Sequence, residues 1–329
     1  MSYVIGYHAS HEQFPPSQLL RLVQQAEDAG FNAAMCSDHI HTWSSAQGES
    51  GFAWSWLGAA MHATNLTYGI VNAPGQRYHP AIIAQAVATL NEMFDGRFWI
   101  ATGSGQALNE HITGGPWPAK DLRNERLKES VEVMRALWRG ETVTHRGLVT
   151  VEDCRLFSLP EVEPTVIGAA VTAPTARWLA PWVDGLITVS HPPKVLEGVI
   201  RAFRDNGGGG KPVYVQAKHQ WAETDDAALE MAFGQWKTNV FASKVTTEFN
   251  MPDQFEKAAR YVRPEDVKEK VCVSSDPGVH VERIRGVFEA GADAVYVHQV
   301  GKNQEAFVET FGEHVLPEFD LAPLAEATA

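Results

Sequence analysis

This chain has few cysteines, little positive charge for its length and no long apolar run. Its three cysteines, Cys36, Cys154 and Cys272, stand far apart in 329 residues. An odd set without paired spacing excludes a disulfide framework and a cysteine-based zinc motif, and fits a reducing compartment. Lys and Arg number 27 against 40 Asp and Glu, a formal net charge of −13. A surface of that sign excludes nucleic acid and anionic membrane as general partners, while leaving room for a local basic pocket. No apolar run reaches membrane-spanning length, and no basic segment with an apolar stretch follows Met1, so a cytoplasmic protein is expected. The first strand is not followed by G-x-G-x-x-G, which removes the main marker of a dinucleotide-binding doubly wound sheet.

What the chain does have is a rhythm of strands and helices. The stretch Asn32–Trp43, N-A-A-M-C-S-D-H-I-H-T-W, organises it. Small and apolar residues run without a turn into Ser37, Asp38 and His39, which reads as a strand buried on both faces with a polar end. Further strands are expected over 3–7, 66–71, 97–102, 165–168, 185–189, 213–217 and 294–298. Each is followed by helical sequence, with Pro15 and Pro16 opening the first helix and Gly30 ending it. Residues 142–157 break the alternation as a hairpin turned at Arg146-Gly147. Eight such units in about 320 residues favour an α/β fold of (β/α)8 TIM-barrel type with insertions after several strands over a doubly wound sheet. Residues 1–320 form one domain, and 321–329 read as a loose tail.

In such a barrel, groups at the C-terminal ends of strands converge on one mouth. Here they are His8 with Glu12; Asp38, His39 and Trp43; Asn72; Gln106, Asn109 and Glu110; then His191, His219 and His298. Two enzyme classes use histidines there. A metal-dependent hydrolase would take them as ligands, and His39-x-His41 has suitable spacing. However, strand four ends in glycines instead of a ligand. The second class needs an imidazole for proton transfer, an aromatic wall and room for a planar cofactor. Asp38 and His39, Trp43 and the loop Gly103-Ser-Gly105 supply these together. Bland readings exist for several of these groups. His191, His219 and His298 can cap strands, Asn109 and Glu110 can cap a helix, and Trp54 and Trp56 can be core.

The residues Tyr7-His-Ala-Ser-His-Glu12-Gln13-Phe14, Ser37-Asp38-His39-x-x-x-Trp43, Arg77-Tyr-His-Pro80 and Gly103-x-Gly105-x-Ala-Leu-Asn-Glu110 carry a resemblance. So does Ser275-Asp276-Pro277. They are similar to coenzyme F420-dependent glucose-6-phosphate dehydrogenases, within the bacterial luciferase-like superfamily of flavin and deazaflavin barrels. The resemblance implies a dimeric cytosolic oxidoreductase with FMN or coenzyme F420 at the mouth, acting on a small hydroxylated, sugar-like molecule. It makes His39 the base that takes the hydroxyl proton, with Trp43 shielding the reacting centre and Glu12 orienting the imidazole. It assigns the cofactor to Asp38, Val71, Asn72, Gly105, Gln106, Asn109, Ala170, Val171 and Thr172, with a cis peptide near Val71-Asn72-Ala73.

Three departures bear on that assignment. Gln106 stands where the dehydrogenases carry an acidic Glu, and an amide has no titratable proton. Val171-Thr172 replaces a glycine pair that cradles the cofactor phosphate. Of three basic substrate-phosphate ligands only Lys270 is matched, with Lys194 and Lys244 near the other two positions. An FMN-dependent monooxygenase and a flavin-binding protein without catalysis therefore remain as alternatives.

Overall fold

The computed structural model describes residues 2–94 and 96–324. Its strands are β1 (Val4–Ala9), β2 (Ala33–Ser37), β3 (Thr67–Asn72), β4 (Phe98–Thr102), β5 (Val143–Arg146), β6 (Thr150–Cys154), β7 (Thr165–Ala169), β8 (Gly185–Val189), β9 (Val213–Trp221), β10 (Cys272–Ser274) and β11 (Ala294–Gln299). Eight of them pair in parallel in the order β9-β11-β1-β2-β3-β4-β7-β8, and β8 pairs back to β9, closing a barrel. The expected TIM barrel is therefore present, with its eight strands in the expected places. β5 and β6 form the expected antiparallel hairpin outside it, and β10 adds to β9.

Helices surround the barrel. They are α1 (Pro16–Asp28), α2 (Ala53–Ala63), α3 (Pro80–Met93), α4 (Ala107–Glu110), α5 (Lys120–Trp138), α6 (Ala173–Leu179), α7 (Pro193–Phe203), α8 (Asp225–Trp236), α9 (Ser243–Thr246), α10 (Pro252–Ala258), α11 (Pro264–Lys268), α12 (Pro277–Glu289) and α13 (Gln304–His314). In α1 the apolar stripe Leu19, Leu22, Val23 and Ala26 is buried at helical spacing. β2 is buried from Ala33 to Cys36 because its two faces meet the barrel interior and the helical layer. Among the described residues no helix is long and apolar enough to cross a membrane.

Inward-facing residues alternate along each strand. Trp99, Tyr214 and Tyr296 fill the middle of the barrel, with ring centroids 5.1–5.9 Å apart. That aromatic plug needs a neighbour without a side chain. A Cβ on Gly69 would overlap the Trp99 ring. Above the plug the barrel opens, and its mouth is divided. Val71, Gly103, Ala169 and Val189 line one half and stay partly exposed. His8, Lys218 and His298 occupy the other.

The structure differs from the sequence-based expectation at several boundaries. β1 runs to Ala9, since His8 and Ala9 find register partners in Met35 and Cys36. β9 runs past Ala217 to Trp221, because β10 extends the sheet beside it. The long, partly irregular helical region expected over 225–261 breaks into α8, α9 and α10, with Pro252 starting the last of them. Among the described residues there is no cis peptide bond, so the one expected near Val71, Asn72 and Ala73 is not found. Residue Ala322 is hydrogen-bonded to Tyr3 and to Asn32, and residues 325–329 lie outside the described part of the tail.

Replacing Gly69 with Val tests the aromatic plug. We expect Gly69→Val to lower the free energy of unfolding by about 1–3 kcal/mol through overpacking, measured as a shifted urea midpoint at unchanged slope.

Candidate active site

The C-terminal rim is built on Asp38. Its side chain is 1% exposed. Oδ2 accepts from the Trp54 indole N–H at 3.0 Å and from the Asn72 amide at 2.7 Å. Oδ1 accepts from the Tyr78 hydroxyl at 3.2 Å and lies 3.5 Å from the Arg77 guanidinium. One carboxylate thus joins β2, α2, β3 and the segment before α3. The same Arg77 donates to the Asp38 backbone carbonyl at 2.7 Å. Arg77 also faces Glu110, whose carboxylate accepts from the Arg77 backbone N–H at 2.8 Å and lies 3.6 Å from Nε. Burial raises the Glu110 carboxyl above its usual range, and the Arg77 hydrogen bond and charge pull against that rise.

Asn109 and Glu110 are therefore not helix caps. Asn109 Oδ1 accepts from the backbone N–H groups of Ile40 and His41 at 3.0 and 3.4 Å, tying the loop after β4 to the loop after β2. Trp54, expected as plain core, is buried but supplies the indole bond to Asp38.

That scaffold positions His39. Its Nδ1 lies 3.5 Å from Glu12 Oε1, and Glu12 is itself held by the Ser10 hydroxyl at 3.1 Å. A carboxylate beside Nδ1 favours the tautomer with its proton there and a lone pair on Nε2. Nε2 has no protein partner among the described residues. The Trp43 ring stands 5.3 Å from the imidazole and packs edge-on against Phe255 at 5.2 Å. Phe255 comes from the insertion between β9 and β11, which also reaches the rim through Glu256, bonded to Ser45 at 2.7 Å. The insertion holds the loop after β4 as well, since Ala107 donates to the Thr247 carbonyl at 3.0 Å.

Gly105 turns the β4 loop with φ of +82°, and a Cβ there would press on Glu110 and Trp117 at 3.0 and 3.3 Å. Gln106 follows, partly exposed at the start of α4. Across the mouth Ala170 is buried, while Val171 and Thr172 carry exposed side chains. Lys194, Lys244 and Lys270 lie on α7, on α9 and just before β10, all exposed and without an ion pair among the described residues.

Lys218 is a charged group of the mouth that sequence reasoning missed. It points into the mouth from β9, in register with His298, and its Nζ lies 5.9 Å from the Trp236 ring centroid. No carboxylate partners it among the described residues. Burial, reinforced by the Lys270 charge, lowers its pKa to about 8. The strand continued its alternation Tyr214, Gln216, Lys218 beyond the expected end at Ala217, and one more step of period two finds it. Beside it the His8 and His298 rings stack at 4.2 Å. Burial, with Lys218 and neighbouring imidazoles, holds His8 down at about 3. His298 is held well below its ordinary value by burial, His8 and Lys218.

His219 is not at the mouth. The same alternation turns it outward, where its Nδ1 meets His280 Nδ1 at 2.9 Å. Among the described residues the mouth histidines do not converge as a metal-ligand set, which is the geometry a hydrolase would need.

Half of the mouth is small and apolar. Among the described residues the buried Asn72 Oδ1 has no protein partner, while the Asn72 amide N–H donates to Asp38. The luciferase-like monooxygenase family profile matches residues 1–294. The chain is 34% identical over 324 residues to the F420-dependent glucose-6-phosphate dehydrogenase of Microbacterium testaceum (strain StLB037), covering 95% of this chain and 96% of that one. A solved F420-dependent secondary alcohol dehydrogenase, in complex with an F420-acetone adduct, superposes with a TM-score of 0.90. Its identity is 28%, over 96% of this chain and 99% of that one. An oxygenating constituent of 3,6-diketocamphane monooxygenase in complex with FMN shares the fold, with a TM-score of 0.71 at 16% identity.

The buried histidines give this fold an acid-sensitive stability. His8 and His11 are held at about 3 and about 4 by burial, and His219 and His298 lie well below the ordinary value. Below about pH 6.5 each imidazole takes up a proton in the unfolded chain but not in the folded one, so acid favours unfolding. We expect the unfolding free energy to be flat with respect to these groups above that pH. Below it, stability should fall by about 1.4 kcal/mol per pH unit for each of His8 and His11 down to about pH 4, with His219 and His298 adding in the same direction, read from urea titrations at stepped pH.

Proposed function

This chain belongs to the luciferase-like monooxygenase family, and we propose that it is a coenzyme F420-dependent dehydrogenase of small hydroxylated molecules. The observation that carries this reading is the His39 imidazole. Its Nδ1 side faces Glu12 and its Nε2 has no partner among the described residues beside Trp43, at the edge of a mouth whose opposite half is small and apolar. The relatives named as F420-dependent dehydrogenases align with nearly the whole chain, which supports the cofactor.

In this reading His39 Nε2 accepts the substrate hydroxyl proton, and the Glu12 carboxylate stabilises the imidazolium that forms. When bound, the deazaflavin ring supplies the hydride acceptor. Trp43 covers the reacting carbon and excludes water with Phe255 behind it. Val71 and Gly105, with the free Asn72 Oδ1, line the ring's place; Asp38 and Asn109 hold that lining rigid through their own hydrogen bonds. Gln106 orients without giving a proton. Ala170, Val171 and Thr172 lie toward the cofactor's tail. Lys218 faces the substrate from the floor of the mouth and provides a positive charge for its oxygen atoms, with Lys270, Lys194 and Lys244 farther out.

A second reading keeps the chemistry but takes FMN. The exposed Val171 and Thr172 side chains favour it, since they stand where the resemblance to the dehydrogenases implies a glycine pair. The enzyme acts as a homodimer. Exposed apolar side chains on α3, Ile82 and Met93, together with exposed Phe52, whose ring neighbours Tyr78 just before that helix, support that assembly.

His39→Ala should lower turnover by about 10²–10⁴-fold while cofactor affinity, measured by quenching of cofactor fluorescence, stays within a few-fold of wild type. Wild-type turnover in that variant would remove His39 from the mechanism. The visible spectrum of the reconstituted protein separates the cofactors, a single deazaflavin band supporting coenzyme F420 and a two-band flavin spectrum supporting FMN.

A further inference from the structure

Outside the barrel wall, three side chains from three elements meet. His219 leaves β9 on its outer face, Cys272 is its register partner on β10, and His280 comes down from α12. Both imidazoles are fully buried, and Cys272 is half-buried. One ligand atom from each lies within 4.8 Å of the others. The mechanism above uses none of them.

Hydrogen bonding decides how the imidazoles are arranged. His280 Nε2 lies 3.0 Å from the Ser274 carbonyl, which can only accept, so Nε2 carries a proton and Nδ1 a lone pair. His219 Nδ1, 2.9 Å away, then donates to that lone pair, and His219 Nε2 remains buried without a partner among the described residues. Two buried nitrogens therefore face each other across a single proton, with a thiol alongside. A backbone carbonyl holding the far nitrogen is the usual support of a ligating histidine.

We infer that His219, Cys272 and His280 form a binding site for a thiophilic d10 cation of the zinc class. Two imidazoles and one thiolate suit that ion, and the partly exposed side at Cys272 leaves a fourth position for water. Tetrahedral zinc with bonds of about 2.0–2.1 Å to nitrogen and 2.3 Å to sulfur sets donor atoms roughly 3.3–3.6 Å apart. The imidazoles need to part by a few tenths of an ångström and the thiol to close in, which side-chain rotation supplies. On binding, Cys272 releases its proton to solvent. The proton between the imidazoles moves to His219 Nε2, and both Nδ1 lone pairs turn to the metal.

The bound ion clamps β10 to β9 and α12, two residues after Lys270. Metal binding would thereby fix a cation at the edge of the mouth and tie substrate affinity to metal supply. The site itself rests only on its three ligands and stands whether or not the dehydrogenase reading does.

The test is a titration of the purified, chelator-treated protein with Co2+ and then Zn2+, without cofactor or substrate. One equivalent of Co2+ should bind with a thiolate-to-cobalt charge-transfer absorption, and Zn2+ should abolish it. Cys272→Ser should lose that absorption, Cys154→Ser should keep it, and both Cys272→Ser and His280→Gln should weaken Zn2+ binding by more than about tenfold. Ser is nearly isosteric at the half-buried position, and far-ultraviolet circular dichroism checks that the variants fold. Absence of stoichiometric binding, or a thiolate absorption that survives Cys272→Ser, would overturn the inference and leave the pair as hydrogen-bonded imidazoles.

Discussion

The buried carboxylate of Asp38 is the interaction on which the mouth depends. Its two oxygens engage an indole, an amide, a phenol and a guanidinium from three parts of the chain. A charge so buried persists only when paired and hydrogen-bonded, and removing one partner of such a pair costs about 3–5 kcal/mol. Arg77 is that partner, and it reaches on to Glu110, so the rims after β2, β3 and β4 share one electrostatic core. His39 follows Asp38 directly, so the network beneath it sets where the imidazole stands.

Above that core the mouth separates two kinds of surface. The small, apolar ends of β3, β4, β7 and β8 give a flat place with few polar demands. The ends of β1, β9 and β11 bring Lys218, His8 and His298, with His39 alongside. A planar ring against the first surface and a hydroxylated substrate against the second is the arrangement hydride transfer needs, because proton and hydride leave the substrate in different directions. The β9–β11 insertion backs the aromatic wall through Phe255 and pins the β2 and β4 loops. Its contacts make the rim one connected structure instead of eight separate loops.

Much of this was legible in the sequence. The run from Ala33 to Cys36 declared a strand covered on both faces, and the eight-fold alternation declared the barrel. Strand-end chemistry placed Glu12, His39 and Trp43 at one mouth, and in the structure the His39 imidazole lies 3.5 Å from Glu12 and 5.3 Å from the Trp43 ring. Other features depended on partners that local pattern cannot show. Lys218 and His219 swap sides of the wall once β9 is known to run on to Trp221, and it does so because distant β10 pairs with it. Asn109 and Glu110 have the composition of caps, yet their partners are Ile40, His41 and Arg77, far away in the chain. Trp54 has the burial expected of core, while its single N–H is spent on Asp38.

One substitution separates an Asp38 that builds the site from an Asp38 that merely touches the cofactor. Asp38→Asn keeps the shape and removes the charge facing Arg77, and the variant's urea unfolding and cofactor affinity can be measured side by side. If Asp38 is the anchor of the rim, its unfolding free energy falls by about 3 kcal/mol or more, and cofactor affinity declines with it. Wild-type stability combined with lost cofactor affinity would contradict that, because the carboxylate would then be serving the cofactor directly and not the fold around it.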